Sequence, residues 1–245
     1  MNNLFTEITK NIGHVFAFLG TVACIFLIAF LFEWYLRKKN NETGKILSTK
    51  KVTMIGMFSA VATILMMFEF PLPFLAPNFY ELDLSEIPIL ICTFAYGPVA
   101  GVFTEFCKIL LKLLFKSTST AFVGELANFA VGCALILPAS ILYQFKKTKK
   151  RAILSCVVGT LCIAVFGAVF NAVYLLPAFA VLFMNDPASV STFIDMGHAI
   201  NPLIHDTATF VTFAVAPLNL IKGCIASIPT LLIYKPLSTF LKDNK

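Results

Sequence analysis

The sequence predicts an all-α polytopic membrane protein, with a six-helix bundle preceded by one additional N-terminal transmembrane helix. Of its 245 residues, 58% are hydrophobic and only 13% are charged. Soluble domains are about 45–50% apolar and about 25% charged, so this chain is too apolar for a surface in contact with water. Several apolar runs also reach the roughly 20 residues that a helix needs to cross a bilayer.

Seven apolar segments account for the predicted helices. The first is too long for the apolar region of a signal peptide, so we expect it to remain as a transmembrane helix. The third covers only about 20 Å as a helix and cannot cross a core of roughly 30 Å unaided. We therefore expect this segment to begin inside the membrane or the bilayer to be thinned around it. The segments are roughly 13–36, 52–70, 84–96, 98–115, 121–144, 152–184 and 207–234.

Basic residues predict the orientation of the chain. Lys and Arg fill the linker 37–51 and the loop 146–151 and also follow the last segment, whereas 71–83 and 185–206 contain neither. The positive-inside rule puts the basic regions in the cytoplasm, which predicts an outside N-terminus and a cytoplasmic C-terminus. The net charge of +6 is thus a matter of topology, and no nucleic-acid partner is expected. The whole multi-pass protein is expected in the cell membrane.

The chain divides into two parts in this interpretation. Residues 1–51 are expected to form the extra helix and its basic cytoplasmic linker, and residues 52–245 the six-helix membrane domain. Before the short third segment lies the stretch FPLPFLAPNFYELDLSEIP, with four prolines and several aromatic residues. Irregular backbone at membrane depth is tolerated only where it is buried in protein or lines a cavity. We expect this stretch to fold inward over a pocket.

Polar side chains recur in the outer half of the predicted bundle. Ionisable groups at such depths cost several kcal/mol unless they face a cavity or a partner, so their common location predicts one ligand pocket open to the outside. For Glu125 and Asn128 an alternative stays open, because both would also suit the start of a helix. The residues are Glu69, Glu81, Asp83, Glu86, Glu125, Asn128, Asn171, Tyr174 and Lys222.

Other polar groups are better explained by structure than by ligand binding. Glu105, Lys108 and Lys112 share one helix face, which predicts a Glu105–Lys108 pair inside the bundle and Lys112 extending to the outer interface. His198 and His205 match no zinc spacing, so we expect a solvated loop there and no metal.

Motifs for an energy source or for catalysis are missing from the sequence. It contains no G-x-x-x-x-G-K-[ST], no G-x-S-x-G and no H-E-x-x-H, and no inverted repeat is evident. A small bundle with a pocket and no engine predicts a substrate-binding subunit without catalytic residues or a cofactor. Gly56 and Ala60, four residues apart on the first core helix, offer a close-packing surface for a partner subunit.

Four stretches together resemble a known family. The chain is similar to the substrate-binding S component of energy-coupling factor (ECF) vitamin transporters, in particular the riboflavin-specific type. The similarity covers about residues 50 to 240, and the first helix departs from the usual six-helix form. The stretches are FEFPLPFLAPNFYELDLSEIP (68–88), FAYGPVAGVFTEFCKILLKLL (94–114), GELANF (124–129) and PLNLIKG (217–223).

The resemblance implies capture of riboflavin outside the cell and association with a membrane coupling subunit and two ATPases. It implies that the first long loop covers the vitamin and that the later core helices supply the remaining contacts. Phe74, Phe79 and Tyr80 are expected as walls for the flat isoalloxazine ring. The ligand-binding residues so implied are Tyr80, Leu82, Asp83, Glu125, Asn128, Asn171 and Lys222.

Three alternatives remain at this stage. The chain could be an S component for another vitamin, such as thiamine or folate. It could be a membrane enzyme that uses Glu105 and the histidines as acid and base. It could also be a structural protein whose polar groups only tie helices together.

Overall fold

The computed structural model describes residues 8–41 and 44–242. The start of the expected N-terminal segment and Lys245 of the basic C-terminus lie outside this range. The helices are α1 (Ile12–Lys39), α2 (Thr49–Met66), α3 (Glu86–Tyr96), α4 (Pro98–Phe115), α5 (Val123–Phe145), α6 (Lys149–Phe170), α7 (Leu176–Met184), α8 (Val190–Ile200), α9 (Thr207–Phe210) and α10 (Ala216–Lys242). Two short strands, β1 (Phe70–Pro71) and β2 (Glu81–Leu82), pair antiparallel.

Several helices have the length and apolarity of membrane spans. Stretches at Ile12–Lys39, Thr49–Met66, Val123–Phe145, Lys149–Met184 and Thr207–Tyr234 meet both requirements. α3, with 11 residues, extends only about 17 Å, in keeping with the short third segment of the sequence. The protein is therefore a multi-pass helical membrane protein.

Two one-turn π-helices interrupt the long helices. Asn171–Leu175 lies between α6 and α7, and Val211–Val215 lies between α9 and α10. A π-turn inserts an extra residue per turn and is frequently found at functional sites. Both turns lie at the same end of the bundle as the β1–β2 hairpin, which we call the cavity end. The opposite end, with Arg37, Lys51 and Lys147, is the basic end.

The extra helix α1 packs against α4 and α5. Phe18 lies against Phe106 and Phe129, with ring centroids 6.4 and 6.1 Å apart, and Phe26 contacts Phe103 at 4.5 Å. The rest of the helix carries many exposed apolar side chains, as expected for a surface in lipid. The packing leaves the outer face of α2, which includes Gly56 and Ala60, exposed.

Glu33 of α1 joins this helix to the start of α4. The residue before α4 is Gly97, whose φ of +99° suits glycine and which has no side chain to cap the helix. Glu33 supplies the missing acceptor, because its Oε2 accepts a hydrogen bond from the backbone N–H of Val99 at 2.9 Å. Its Oε1 lies 3.1 Å from Nζ of Lys51, at the start of α2. A carboxylate at a helix N-terminus also interacts favourably with the helix dipole.

The segment between α7 and α9 contains a helix where a solvated loop was expected. α8 buries Phe193, which contacts Phe79 of the hairpin loop at 5.3 Å between ring centroids. His198 is fixed here, with Nδ1 2.8 Å from the carbonyl oxygen of Ile204, and its ring centroid lies 5.2 Å from that of His205. The strong apolar face of α8 provides the physical reason, because it packs on the loop that covers the bundle.

Candidate functional site

A cavity of about 460 Å³ lies at the cavity end, under the loop that connects β1 and β2. Its size falls within the 300–1,000 Å³ typical of small-molecule sites. The wall combines aromatic and aliphatic side chains with a few amide and charged groups. Its members include Glu69, Phe79, Tyr80, Leu82, Asp83, Lys112, Lys116, Thr120, Glu125, Asn128, Asn171, Leu175, Phe179, Phe183, Leu218, Asn219 and Lys222.

The residues implied by the family resemblance converge on this cavity. The loop and β2 bring one group, α5 the second, and the two interrupted helices the third. All members line the wall, although their part in ligand binding stays a prediction. They are Tyr80, Leu82, Asp83, Glu125, Asn128, Asn171 and Lys222.

An ion pair closes one side of the cavity. Lys222 Nζ donates to Asp83 Oδ2 at 3.1 Å, and both residues are buried. Asp83 Oδ1 accepts from the backbone N–H of Ser85 at 2.7 Å. Burial disfavours the charged carboxylate, but the ammonium of Lys222 outweighs it and holds the pKa of Asp83 well below its ordinary value. Lys222 therefore faces the cavity with its charge compensated.

The π-turn after α6 positions Asn171. Its Oδ1 accepts from the Tyr80 hydroxyl at 2.6 Å, and its Nδ2 donates to the carbonyl oxygen of Gly167 at 2.7 Å. The loop is thereby hydrogen-bonded to the wall of the cavity. Each atom of an amide group has capacity for a second hydrogen bond, so Asn171 retains a donor and an acceptor for a ligand.

Glu125 and Asn128 lie on the first turns of α5. Glu125 Oε2 accepts from the hydroxyls of Thr118 and Thr120 at 2.9 and 3.1 Å, which stabilises the turn before the helix. This contact agrees with the structural explanation offered for Glu125. Asn128 is half-buried and lines the cavity one turn further on.

The rim of the cavity carries a second set of charges. Glu69 lies 3.3 Å from Nζ of Lys112 and 2.6 Å from Nζ of Lys116. Partial burial disfavours the charged form of Glu69, yet the two lysines lower its pKa. Lys112 was expected to extend to the outer interface, but it is mostly buried at the rim, because Glu69 provides a counter-charge there. The expected Glu105–Lys108 pair is present, at 2.6 Å.

Two further details differ from the sequence analysis. Phe74, expected as a wall, is 74% exposed at the outside of the loop, and Phe179 lies in the cavity wall beside Phe79. Asn219 also lines the cavity and was missed. Its signal was its spacing, because a residue three positions before Lys222 shares the same helix face.

No group of three His, Cys, Asp or Glu side chains suited to a metal ion occurs within the described ranges. The two histidines near the loop are partly exposed and have no third ligand of that kind. The arrangement is that of a binding site: aromatic walls, amides with donors and acceptors, and paired charges.

Comparison with known proteins identifies the class of this membrane protein. The family model for the substrate-specific component of ECF transporters matches residues 50–234. The chain belongs to this family, whose members are transport components and not enzymes.

Characterised relatives narrow the similarity. The chain is 32% identical to the riboflavin transporter RibU of Staphylococcus aureus, covering 84% of this chain and 97% of the relative. It is 29% identical to the riboflavin transporter FmnP of Bacillus subtilis, covering 81% and 97%. The alignment with RibU of Streptococcus thermophilus, at 27% identity, covers 98% of this chain and 99% of the relative, and thus includes the α1 region.

A solved structure agrees with the fold. It is the S component of a bacterial ECF transporter, with a TM-score of 0.60 and 32% sequence identity. The similarity covers 79% of this chain and 98% of that one.

Proposed function

We propose that this protein is the riboflavin-binding S component of an ECF-type vitamin importer, and that riboflavin occupies the cavity. The observation that carries the proposal is the compensated Lys222–Asp83 pair, which lies on the same cavity wall as Asn171 and Asn219. Ammonium and amide groups suit the carbonyl and N–H groups at the pyrimidine edge of the isoalloxazine ring. The relatives named as riboflavin transporters support the same ligand.

The remaining parts of the vitamin find matching side chains. Phe79, Tyr80 and Phe179 provide aromatic surface for the ring faces. Glu125 and Asn128 provide acceptors and a donor for the ribityl hydroxyls, and Leu82 adds apolar contact.

The charge balance favours a neutral ligand over the alternative vitamins. Asp83 is paired with Lys222, and Glu69 with Lys112 and Lys116. Thiamine, a cation, would call for an uncompensated carboxylate, and folate, a dianion, for uncompensated cations. Riboflavin needs neither.

In the proposed transport arrangement the N-terminus lies outside, the basic end faces the cytoplasm, and the cavity opens to the outside. Residues 52–245 form the binding domain, and residues 1–51 add a helix and a linker. A membrane coupling subunit with two ATPases supplies the energy. Gly56 and Ala60, exposed on α2, allow close approach of a helix of the coupling subunit.

Riboflavin titration of the detergent-purified full chain tests the ligand. We expect quenching of flavin fluorescence with saturation at one equivalent, and no competition from thiamine or folate. Lys222→Met should weaken binding about 10–150-fold, the range for loss of a hydrogen bond to a charged group. A protein that is folded by gel filtration but does not bind riboflavin would refute the proposal.

Reporter fusions test the orientation separately. A fluorescent protein at the C-terminus should fluoresce, because it stays in the cytoplasm, whereas alkaline phosphatase fused there should be inactive. The opposite pair of results would reverse the topology without affecting the ligand.

A further inference from the structure

Three buried charged residues beneath the cavity are not explained by ligand contact. Glu86 at the start of α3, together with Glu105 and Lys108 on α4, is at most 1% exposed. Charged groups so deep in a membrane bundle are costly and commonly mark a functional pathway or an ion-pair network. Here they connect to the cavity through Lys222.

The charges form one continuous chain. Glu86 Oε1 lies 3.2 Å from Nζ of Lys108 and 3.8 Å from Nζ of Lys222, so that a single carboxylate oxygen lies between two ammonium groups. Lys222 also contacts Asp83, and Lys108 also contacts Glu105. The order is therefore Asp83, Lys222, Glu86, Lys108 and Glu105, of which Asp83 and Lys222 line the cavity.

Space for this chain is created by Gly132 of α5. A Cβ atom at this position would lie 2.6 Å from Oε1 of Glu105 and 3.0 Å from Oε1 of Glu86. Any other residue would displace one of the two carboxylates. The bundle thus gives up packing at α5 to accommodate the charges.

The network is not arranged for stability alone. Glu86 Oε2 and one or both oxygens of Glu105 are buried without a hydrogen-bond partner among the described residues. Buried ion networks of this kind are often no more stable than apolar side chains of similar volume, so their presence calls for another explanation.

We propose that Glu86 is a positioning residue for the Lys222 ammonium, with Lys108 holding Glu86 in place. This inference rests on the proposed function, since it assumes that Lys222 contacts the ligand. A lysine side chain is a flexible four-carbon stem. Asp83 and Glu86 approach its ammonium from separate elements, at 3.1 and 3.8 Å, and so fix its position. An ammonium has three N–H donors, which leaves one for a ligand in the cavity.

A double-mutant cycle tests the inference by riboflavin titration of four full-length proteins. They are the wild type, Glu86→Gln, Lys222→Met and the double variant. Glu86→Gln keeps the shape of the side chain and removes its charge. We expect it to weaken riboflavin binding about 5–20-fold in the wild-type background. In the Lys222→Met background the same substitution should change binding less than about 2-fold, because no ammonium remains to be positioned.

Glu105→Gln is the matched control. It removes a carboxylate from the same buried chain but not one within 4 Å of Lys222, and we expect less than about a 3-fold change. Equal effects of Glu86→Gln in both backgrounds, or an equal effect of Glu105→Gln, would overturn the positioning role. Failure of the wild type to bind riboflavin would instead overturn the proposed function.

Loss of folding is distinguished by thermal unfolding and gel filtration of each variant. If Glu86→Gln does not fold, Glu86→Asp replaces it in the cycle, because it retains the charge and withdraws it by one methylene. That variant should weaken binding in the wild-type background and have no further effect with Lys222→Met. An additive result again contradicts the inference.

Discussion

Glu33→Ala should destabilise the whole protein, although Glu33 belongs to the helix that precedes the family match. The carboxylate is 5% exposed and accepts from the Val99 N–H at 2.9 Å. Loss of a helix cap costs typically about 1 kcal/mol, and leaving a buried N–H unpaired costs about 1–3 kcal/mol. The partly exposed Lys51 pair adds at most about 1 kcal/mol. These overlapping contributions give a loss of about 2–4 kcal/mol.

Thermal unfolding of the full chain in detergent measures this loss. Glu33→Gln is the matched control, because its amide oxygen still accepts from Val99, and it should lose less than half as much stability. Leu31→Ala, at a position 53% exposed on the same helix, should change the midpoint least. An unchanged midpoint for Glu33→Ala would show that α1 does not stabilise the start of α4.

Three other predictions concern coupling, the cavity wall and pH. Gly56→Leu with Ala60→Leu should abolish riboflavin uptake by cells while the purified protein binds riboflavin as before; retained uptake would exclude this face as the coupling contact. Gly167→Ala places a Cβ 2.6 Å from Nδ2 of Asn219 and should weaken riboflavin binding about 2–10-fold, and unchanged affinity would exclude a contact from Asn219. Because the pKa of Asp83 is lowered, the Asp83 carboxylate stays charged above its ordinary range and is lost only as pH falls through the lowered value. Riboflavin affinity should therefore vary less than about 2-fold from pH 8 to 5, and a titration in that range would contradict this role for the pair.

The sequence was sufficient for the helices and for much of the cavity wall because both follow from local patterns. Apolar runs predict helices, and intramembrane polar residues predict a shared hollow. Asn171 and Lys222 are isolated polar groups in apolar helices, and such groups stand out in a sequence. Asn219 was within reach of the same reasoning, since it lies one turn from Lys222.

Other features depend on packing that no local pattern encodes. Phe74 and Phe79 belong to the same loop, but the fold exposes the first and turns the second toward Phe193. The link from Glu86 to Lys222 spans more than 130 residues of sequence and exists only because α3 and α10 are neighbours. Glu33 was hidden for the same reason, because its partner is a backbone N–H on another helix.

The α3–α4 hairpin is held by carboxylates at both of its ends. At the basic end Glu33 reaches from α1 to cap α4, and at the cavity end Glu86 of the hairpin itself meets Lys222 of α10. The two contacts are made by different elements and have different consequences. Substitution of Glu33 should lower the stability of the fold and leave riboflavin affinity of the folded protein unchanged, because Glu33 does not line the cavity. Substitution of Glu86 should lower affinity through Lys222. If Glu33→Ala weakened binding as much as Glu86→Gln in fully folded samples, the hairpin would transmit strain between its ends and the two contacts would not be separable.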